Sequence, residues 1–477
     1  MHLSQQFQLA IQNKDFSRAE TLLRRALQAN PRDDNLRINL ANLLTQRNRA
    51  KDAADLFGKN DANGLFNRGY YLAKGHHTEH AIQCYRKAIA MGLDGAEEAY
   101  NNIGSLLREE PHRENEAEEA FRHALDIAPN YASALINLAN LYEDQGYKDK
   151  AKQTLESIPE RDTLYPLALC RLAGLGFDEE INRRLHAQLQ TTGLSPDLRC
   201  DILYAIGHQW DKAKQYQQAS KAFEAANTLN SQLIPAYSAP DWEAKCKEVI
   251  NRPPNNAMTP ANEQSVFFIC GMFRSGSTLL EQMLASHPNI AAGGELNFFP
   301  KLAAGAFNAP LNNAIQTYLD QLNEARQGKA WVSDKRNDNL WHVDLIKQLF
   351  PQAKIIITDR DIDDCAVSIY QQRLGPAMNY ACHMDHIRHY EGLCQKLREH
   401  WLQTYPNDVL CVAYEDLIRD PRSTLSRVLN LLNEDWDDQC LNFQNLRNTV
   451  KTASVWQVRQ PLSDSSIGRA KRYQLGS

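Results

Sequence analysis

One spacing recurs along the first half of the chain and limits what that half can fold into. In FSRAETLLRRALQANP, Ala19, Leu23, Ala26 and Pro31 stand 4, 3 and 5 residues apart, and Ala117, Phe121, Ala124 and Pro129 repeat those intervals in ENEAEEAFRHALDIAP. Ala81, Tyr85 and Ala88 carry the same pattern, as do Ala219, Phe223 and Ala226. Residues three and four apart share a helix face, so each segment presents two alanines flanking one large side chain. The alanines let a second helix approach and the large side chain fills the space between. That second helix is visible upstream: Leu138, Ala139 and Tyr142 precede Ala151, and Leu203, Gly207 and Trp210 precede Ala219. The small residue leads the alanine by 12 positions at Ala139 and Gly207, and by 13 at Gly104. A single hairpin of this kind cannot bury its own apolar face, so neighbours must stack.

This pattern resembles the tetratricopeptide repeat, a helical hairpin of about 34 residues. At least five units are expected between residues 1 and 230, with the unit around 34–60 degenerate and 160–198 helical but poorly matched. The resemblance implies a solenoid whose concave surface takes a peptide or protein. Residues 231–264 mix Pro and Asn with little periodicity and read as a linker, with one short helix near Trp242–Ile250.

Beyond residue 264 the period changes. SVFFIC (265–270), AKIIITDR (353–360) and DVLCVAYEDL (408–417) are apolar runs of strand length separated by helical segments. Such alternation predicts a parallel sheet covered on both faces. The expected class is therefore α + α/β: a repeat solenoid over 1–230, a linker over 231–264 and a P-loop-like parallel-sheet domain over 265–477.

The turn after the first strand carries the chemistry. Gly271, Arg274, Ser275, Gly276, Ser277 and Thr278 form a GxxxxG loop between a buried strand and a helix. Two glycines let the backbone bend around an anion, and the N–H groups at the helix start favour negative charge. The three hydroxyls add donors and Arg274 adds a cation. Ser277 stands where a nucleoside triphosphatase needs a lysine, and Arg360 directly follows Asp359, the position of a magnesium-binding acid. A nucleotide whose transferred group needs no metal fits this loop better.

GMFRSGSTLLEQMLASHPNIAAGGEL resembles the 5′-phosphosulfate-binding motif of sulfotransferases, and its Arg274 and GGE resemble the tyrosylprotein sulfotransferase branch. IIITDRDIDDCAVSIYQQRL resembles that family's 3′-phosphate motif, with Arg360 and Ser368 eight residues apart. Repeats fused ahead of such a domain also resemble a class of bacterial sulfotransferases. The resemblance implies 3′-phosphoadenosine 5′-phosphosulfate (PAPS) as co-substrate, no metal, and a hydroxyl acceptor on a protein, a peptide or a small molecule, protein tyrosine among them. It assigns Arg274, Ser275, Gly276, Ser277 and Thr278 to the 5′-phosphosulfate, and Arg360 and Ser368 to the 3′-phosphate. Glu295 is implied as general base and Lys335, in SDKRNDN, as the cation at the leaving oxygen, with Arg336 its competitor. Ser454 matches the transition-state serine, Arg469 a basic cofactor contact and Tyr414 a nucleotide-packing tyrosine. Ala470 departs from the family's GRW pattern, and Arg373 stands one residue beyond its expected place. For Arg360 an ion pair with Asp361, Asp363 or Asp364 stands as the competing reading, for Glu295 a helix cap or surface position, and for Lys335 a solvated one. A P-loop kinase or nucleotide hydrolase, and a non-catalytic repeat scaffold, are the alternative functions.

The bulk properties set the remaining expectations. A net charge of −5 points to neither nucleic acid nor membrane surface, so an anion site must be built locally. No apolar run reaches 18 residues and the N-terminus lacks a signal-like core, so no membrane span is expected and the cytoplasm is the default. The ten cysteines form no CxxC pair and are expected as reduced thiols. His287 is expected to close a helix, and His383, His386 and His389 to lie on a solvated helix face.

Overall fold

The computed structural model describes residues 3–110, 112–253, 260–261, 265–305, 307, 310–446, 448–450 and 455–473. Contacts group the chain into two compact units, Met1–Leu141 with Ser157–Pro159, and Tyr142–Glu156 with Glu160–Ser477. No helix among the described residues is long and apolar enough to cross a membrane.

The first unit is built of antiparallel helical hairpins. Helix starts are fixed by carboxylates: Asp15 accepts from Arg18 N–H at 3.0 Å and Asp33 from Leu36 N–H at 3.1 Å. The hairpins Ala62–Ala90 and Ala96–Ile127 close where a glycine faces a ring. A β-carbon on Gly69 would lie 2.9 Å from the Tyr85 ring, and one on Gly104 2.6 Å from Phe121. Both rings are buried, each contributing about 1.5–3 kcal/mol by leaving water. In the degenerate unit the second helix, Ala50–Ala54, is only five residues long.

The second unit contains further hairpin helices and one sheet. In the hairpin Pro196–Leu233 a β-carbon on Gly207 would lie 2.5 Å from Phe223, the packing of the first unit repeated. This hairpin is bonded to the sheet domain: Asn227 Nδ2 donates to the Tyr370 carbonyl at 2.7 Å and Arg373 pairs with Asp201 at 2.8 Å. The helix Ala239–Ile250 follows, and its Trp242 meets Trp341 and Tyr390 edge-on at 5.1 and 5.0 Å.

Five parallel strands form the sheet: β1 (Val266–Gly271), β2 (Ile290–Ala292), β3 (Trp331–Lys335), β4 (Lys354–Asp359) and β5 (Val409–Ala413), in the order β2-β3-β1-β4-β5. Side chains alternate across it. Phe267, Ile269 and Ile356 pack with Leu280, Val412 and Leu425 on one face, while Phe268, Ile355 and Ile357 pack with Phe299 and Phe350 on the other. Both faces being covered is why β1 and β4 read as unbroken apolar runs. β2 and β3 are absent from the sequence reading. β2 is three residues long, and β3 carries Ser333, Asp334 and Lys335, polar yet buried. The strand expected over 408–417 is shorter, because Tyr414 opens the helix Tyr414–Arg419. The chain turns one way from β1 to β2 and the other from β3 to β4. Loops therefore diverge at the carboxyl ends of β1, β3 and β4, the place where open α/β sheets bind ligands.

Candidate functional site

The loop after β1 is shaped by its backbone. Gly276 has φ +97°, and a β-carbon there would lie 2.6 Å from Tyr414, so the position accepts only glycine without displacement. Arg274 has φ +68°, a left-handed conformation that costs a non-glycine residue energy and that clusters at binding sites. The helix Ser277–Ala285 begins at once, presenting its first N–H groups to the cleft.

The described residues place most of the expected positions around one cleft. Arg274, Gly276, Ser277, Thr278, Glu295, Arg360, Ser368, Tyr414 and Arg469 all line it. Arg274 Nε donates to Ser368 Oγ at 2.9 Å and its terminal nitrogen to Gln457 Oε1 at 3.1 Å. Burial pulls the Arg274 guanidinium down to about 10, and the neighbouring charges of Arg360 and Arg469 add to that. The cleft is thus a local concentration of positive charge in a chain of net charge −5.

Arg360 lies over the Tyr414 ring at 4.6 Å, a cation–π contact. It donates to the Arg274 carbonyl at 3.1 Å and to the Ser466 carbonyl at 2.6 Å, while its buried Nε has no partner. The carboxylates that competed for it are engaged elsewhere. Asp361 accepts from Asp364 N–H, Asp363 pairs with Arg388, and Asp364 accepts from Gly468 and Ala470 N–H at 2.6 and 2.8 Å. Asp364 thereby fixes the segment that departs from the family pattern at Ala470.

Glu295 and Lys335 meet at 2.5 Å between the β2 and β3 ends. Glu295 lines the cleft with its side chain 39% exposed, whereas Lys335 is buried directly behind it and is not itself part of the lining. Gly293 permits this turn: a β-carbon there would sit 2.1 Å from the Ser333 carbonyl. Behind it lies Glu281, a residue the sequence reading passed over. Its Oε1 accepts from Ser333 Oγ at 2.7 Å and from Gly294 N–H at 3.1 Å, and burial raises its carboxyl above the usual range. It ties the Gly293–Glu295 turn to the helix that starts at the anion loop. Arg336 instead donates to Asn297 and pairs with Asp338.

Other positions fall differently. The Ser275 hydroxyl donates to the Met272 carbonyl and shares a hydrogen bond with Thr358 at 2.7 Å, so it braces the loop beneath the cleft rather than lining it. Arg469 reaches the cleft while paired with Asp211 at 2.6 Å. Arg373 is held by Asp197 and Asp201, away from the lining. Ser454 lies outside the described residues. His287 follows the helix end, its Nδ1 accepting from Asn289 N–H at 3.2 Å. His389 bonds Tyr237 at 2.7 Å and Glu243 at 3.1 Å, and His386 packs on the Tyr237 ring. Asn337 and Gln457 are further lining residues that the sequence reading left without a role. Both sit inside motifs quoted for other residues, and no spacing rule marks either.

A parallel-sheet α/β domain with an arginine-bearing anion loop at its switch point is the class that the fold and cleft define. Residues 267–310 and 303–438 match the sulfotransferase family model, and residues 10–59 and 110–168 match the tetratricopeptide repeat model. The chain is a tetratricopeptide-repeat protein carrying a sulfotransferase-family domain. It is 26% identical over 410 residues to an uncharacterized protein of Aquifex aeolicus, covering 79% of this chain and 53% of that one. It is 22% identical over 239 residues to protein-tyrosine sulfotransferase 2 of Gallus gallus, covering 42% of this chain and 64% of that one. The chain thus spans between half and two-thirds of the length of these relatives. Among solved structures, the sulfotransferase domain of the Synechococcus PCC 7002 olefin synthase is 20% identical, covers 47% of this chain and 92% of that one, and has a TM-score of 0.36.

Proposed function

We propose that the second unit transfers a sulfuryl group from PAPS to a hydroxyl acceptor. The observation that carries this is the pairing, in one cleft, of Arg274 at the anion loop with Arg360, whose buried Nε lacks a partner. Two guanidinium groups suit a nucleotide with phosphate charge at both its 3′ and 5′ ends. The cleft residues fit such a group: a helix start for one anion, a planar cation on Tyr414 for another, and glycine at 276 where a side chain would collide.

PAPS supplies an activated sulfuryl group, its sulfur bonded to a phosphate oxygen. The chain's residues then divide the work. Arg274, Ser277, Thr278 and the Gly276–Thr278 backbone hold the 5′ end, with Ser275 bracing the loop. Arg360 and Ser368 hold the 3′-phosphate, Tyr414 packs on the nucleotide and Arg469 adds a cation. Glu295 takes the acceptor hydroxyl's proton as the acceptor oxygen bonds to sulfur. The bridging oxygen–sulfur bond breaks, and Lys335 and Ser454 stabilise charge on the departing 3′-phosphoadenosine 5′-phosphate. The Lys335–Glu295 contact at 2.5 Å supports this division, since each group holds the other where it is needed. A protein tyrosine is the acceptor class we favour, on the printed names of several relatives and on the repeats.

The test is transfer of radiolabelled sulfate from PAPS to a tyrosine-containing peptide and to phenol. We expect label in one of these products. Glu295→Gln should lower turnover about 10²–10⁴-fold while binding 3′-phosphoadenosine 5′-phosphate normally. Undiminished turnover in that variant contradicts the base assignment, and no transfer by the wild-type chain to either acceptor contradicts a phenolic acceptor.

A further inference from the structure

The end of the helix Ala132–Gln145 is joined to the nucleotide cleft by a residue that the transferase reading leaves unassigned. Gly146, at φ +82°, closes that helix. Its N–H donates to the Glu143 carbonyl at 2.9 Å, and Tyr147 N–H donates to the Tyr142 carbonyl at 2.7 Å. A left-handed glycine ends a helix in this way and satisfies those two carbonyls. The next carbonyl, that of Asp144, turns instead to the C-terminal segment. It accepts from Val450 N–H at 3.0 Å and from Arg459 Nη2 at 2.7 Å, and Arg459 Nη2 also donates to the Asn448 carbonyl at 2.8 Å. A cation at this place also meets the negative end of the helix dipole. A β-carbon on Gly146 would lie 2.7 Å from Arg459 Nε, so a side chain at 146 would displace the guanidinium. Tyr142–Glu156 and the C-terminal segment belong to the same compact unit.

Arg459 closes a short helical turn, Gln457–Arg459, whose other two residues line the cleft. With three residues per turn, successive side chains leave in directions about 120° apart. Gln457 Oε1 accepts from Arg274 at 3.1 Å, at the anion loop. Val458 is buried with Val450, Val455 and Leu279, the last in the helix that starts at that loop. Arg459 takes the third direction, to the helix end at Asp144. The turn's own backbone bond, Gln460 N–H to the Gln457 carbonyl, is long at 3.4 Å, so side chains set its place. Gln457 is exposed, whereas burial lowers the Arg459 guanidinium below its ordinary range against the opposing charge of Asp144.

We propose that Arg459 is a positioning residue: by anchoring this turn on the helix end at Asp144, it holds Gln457 against Arg274 and so sets the anion loop for the nucleotide. The proposal rests on the nucleotide reading given above, and two measurements on the full chain separate them. Hydrogen exchange without nucleotide reads the anchoring alone: amides of residues 455–462 should exchange faster in Arg459→Ala than in wild type. Calorimetric titration with 3′-phosphoadenosine 5′-phosphate reads the consequence. Arg459→Ala and Gln457→Leu should each weaken binding about three- to tenfold, the size of one hydrogen bond, and the double variant should be no weaker than Gln457→Leu alone. Gly146→Ala, which displaces the same guanidinium, should reproduce the loss. Arg459→Lys, which keeps a cation at the two carbonyls, should recover most of the affinity. Lys152→Ala, in the next helix with its side chain 47% exposed, should leave binding unchanged. A circular dichroism melt of each variant sets the titration temperature below unfolding. Unchanged exchange in Arg459→Ala, or losses that add in the double variant, would overturn the proposal. No nucleotide binding by the wild-type chain would overturn the nucleotide reading and this role with it, even where exchange shows the anchor.

Discussion

The hairpins Ala96–Ile127 and Pro196–Leu233 share one internal design. Each sets a glycine, Gly104 or Gly207, against a buried phenylalanine, Phe121 or Phe223, with flanking alanines fully buried. Their outer residues differ. The second hairpin carries Asp211, which pairs with Arg469 at the cleft, Asn227, which donates to the Tyr370 carbonyl, and Asp197 and Asp201, which hold Arg373. This hairpin falls in the same compact unit as the sheet, whereas Ala96–Ile127 falls in the first unit. A repeat can therefore keep its packing code and acquire a second task through polar positions that the code leaves open.

The largest expected effect separates the two roles. Phe121→Ala and Phe223→Ala should each cost about 3–5 kcal/mol in urea unfolding, because each leaves a ring-sized cavity beside a glycine. Only Phe223→Ala should also weaken nucleotide binding, measured at a denaturant-free temperature where both variants stay folded. Equal effects on binding would erase the distinction between the hairpins.

A pH experiment isolates the sheet domain. Burial raises Asp334 to about 7, its carboxyl receiving Tyr318 OH at 2.6 Å and Asn339 Nδ2 at 3.2 Å. The folded state keeps this proton where the unfolded chain has lost it. Its contribution to stability is therefore full below about pH 4 and is lost as pH rises toward 7, at up to about 1.4 kcal/mol per pH unit. Asp334→Asn should flatten the pH 4–7 slope of the unfolding free energy relative to wild type. An unchanged slope would mean that Asp334 is ionised in the folded protein.

The smallest effect probes the bridge itself. Asp211→Asn should weaken binding of 3′-phosphoadenosine 5′-phosphate about two- to fivefold, since it loosens Arg469 without removing it. A loss as large as that of Phe223→Ala would show that the ion pair, rather than the hairpin's packing, carries the coupling.

What was legible in the sequence follows from how many residues specify each feature. The hairpins repeat one pattern, so Gly104, Phe121, Gly207 and Phe223 support one another. β1 and β4 are unbroken apolar runs because both their faces are covered. β3 hides its strand character behind Ser333, Asp334 and Lys335, whose burial depends on partners brought from Glu281, Tyr318 and Glu295. The cleft was legible through residue types at motif spacings, which gathered Arg274, Arg360, Ser368 and Tyr414. Glu281 was not, because a glutamate within the helix STLLEQMLA carries no sign of the turn it holds. Nor was the Ser275 hydroxyl's inward direction, which is set by Thr358 on another strand.

The central claim is that Arg360 reads a 3′-phosphate. Calorimetric titration without magnesium, using 3′-phosphoadenosine 5′-phosphate against 5′-AMP and ATP, tests it directly. We predict clear preference for the 3′-phosphorylated nucleotide, reduced about 10- to 100-fold in Arg360→Ala, the size expected for a lost charged hydrogen bond. No binding, or binding only of ATP with magnesium, would contradict the account.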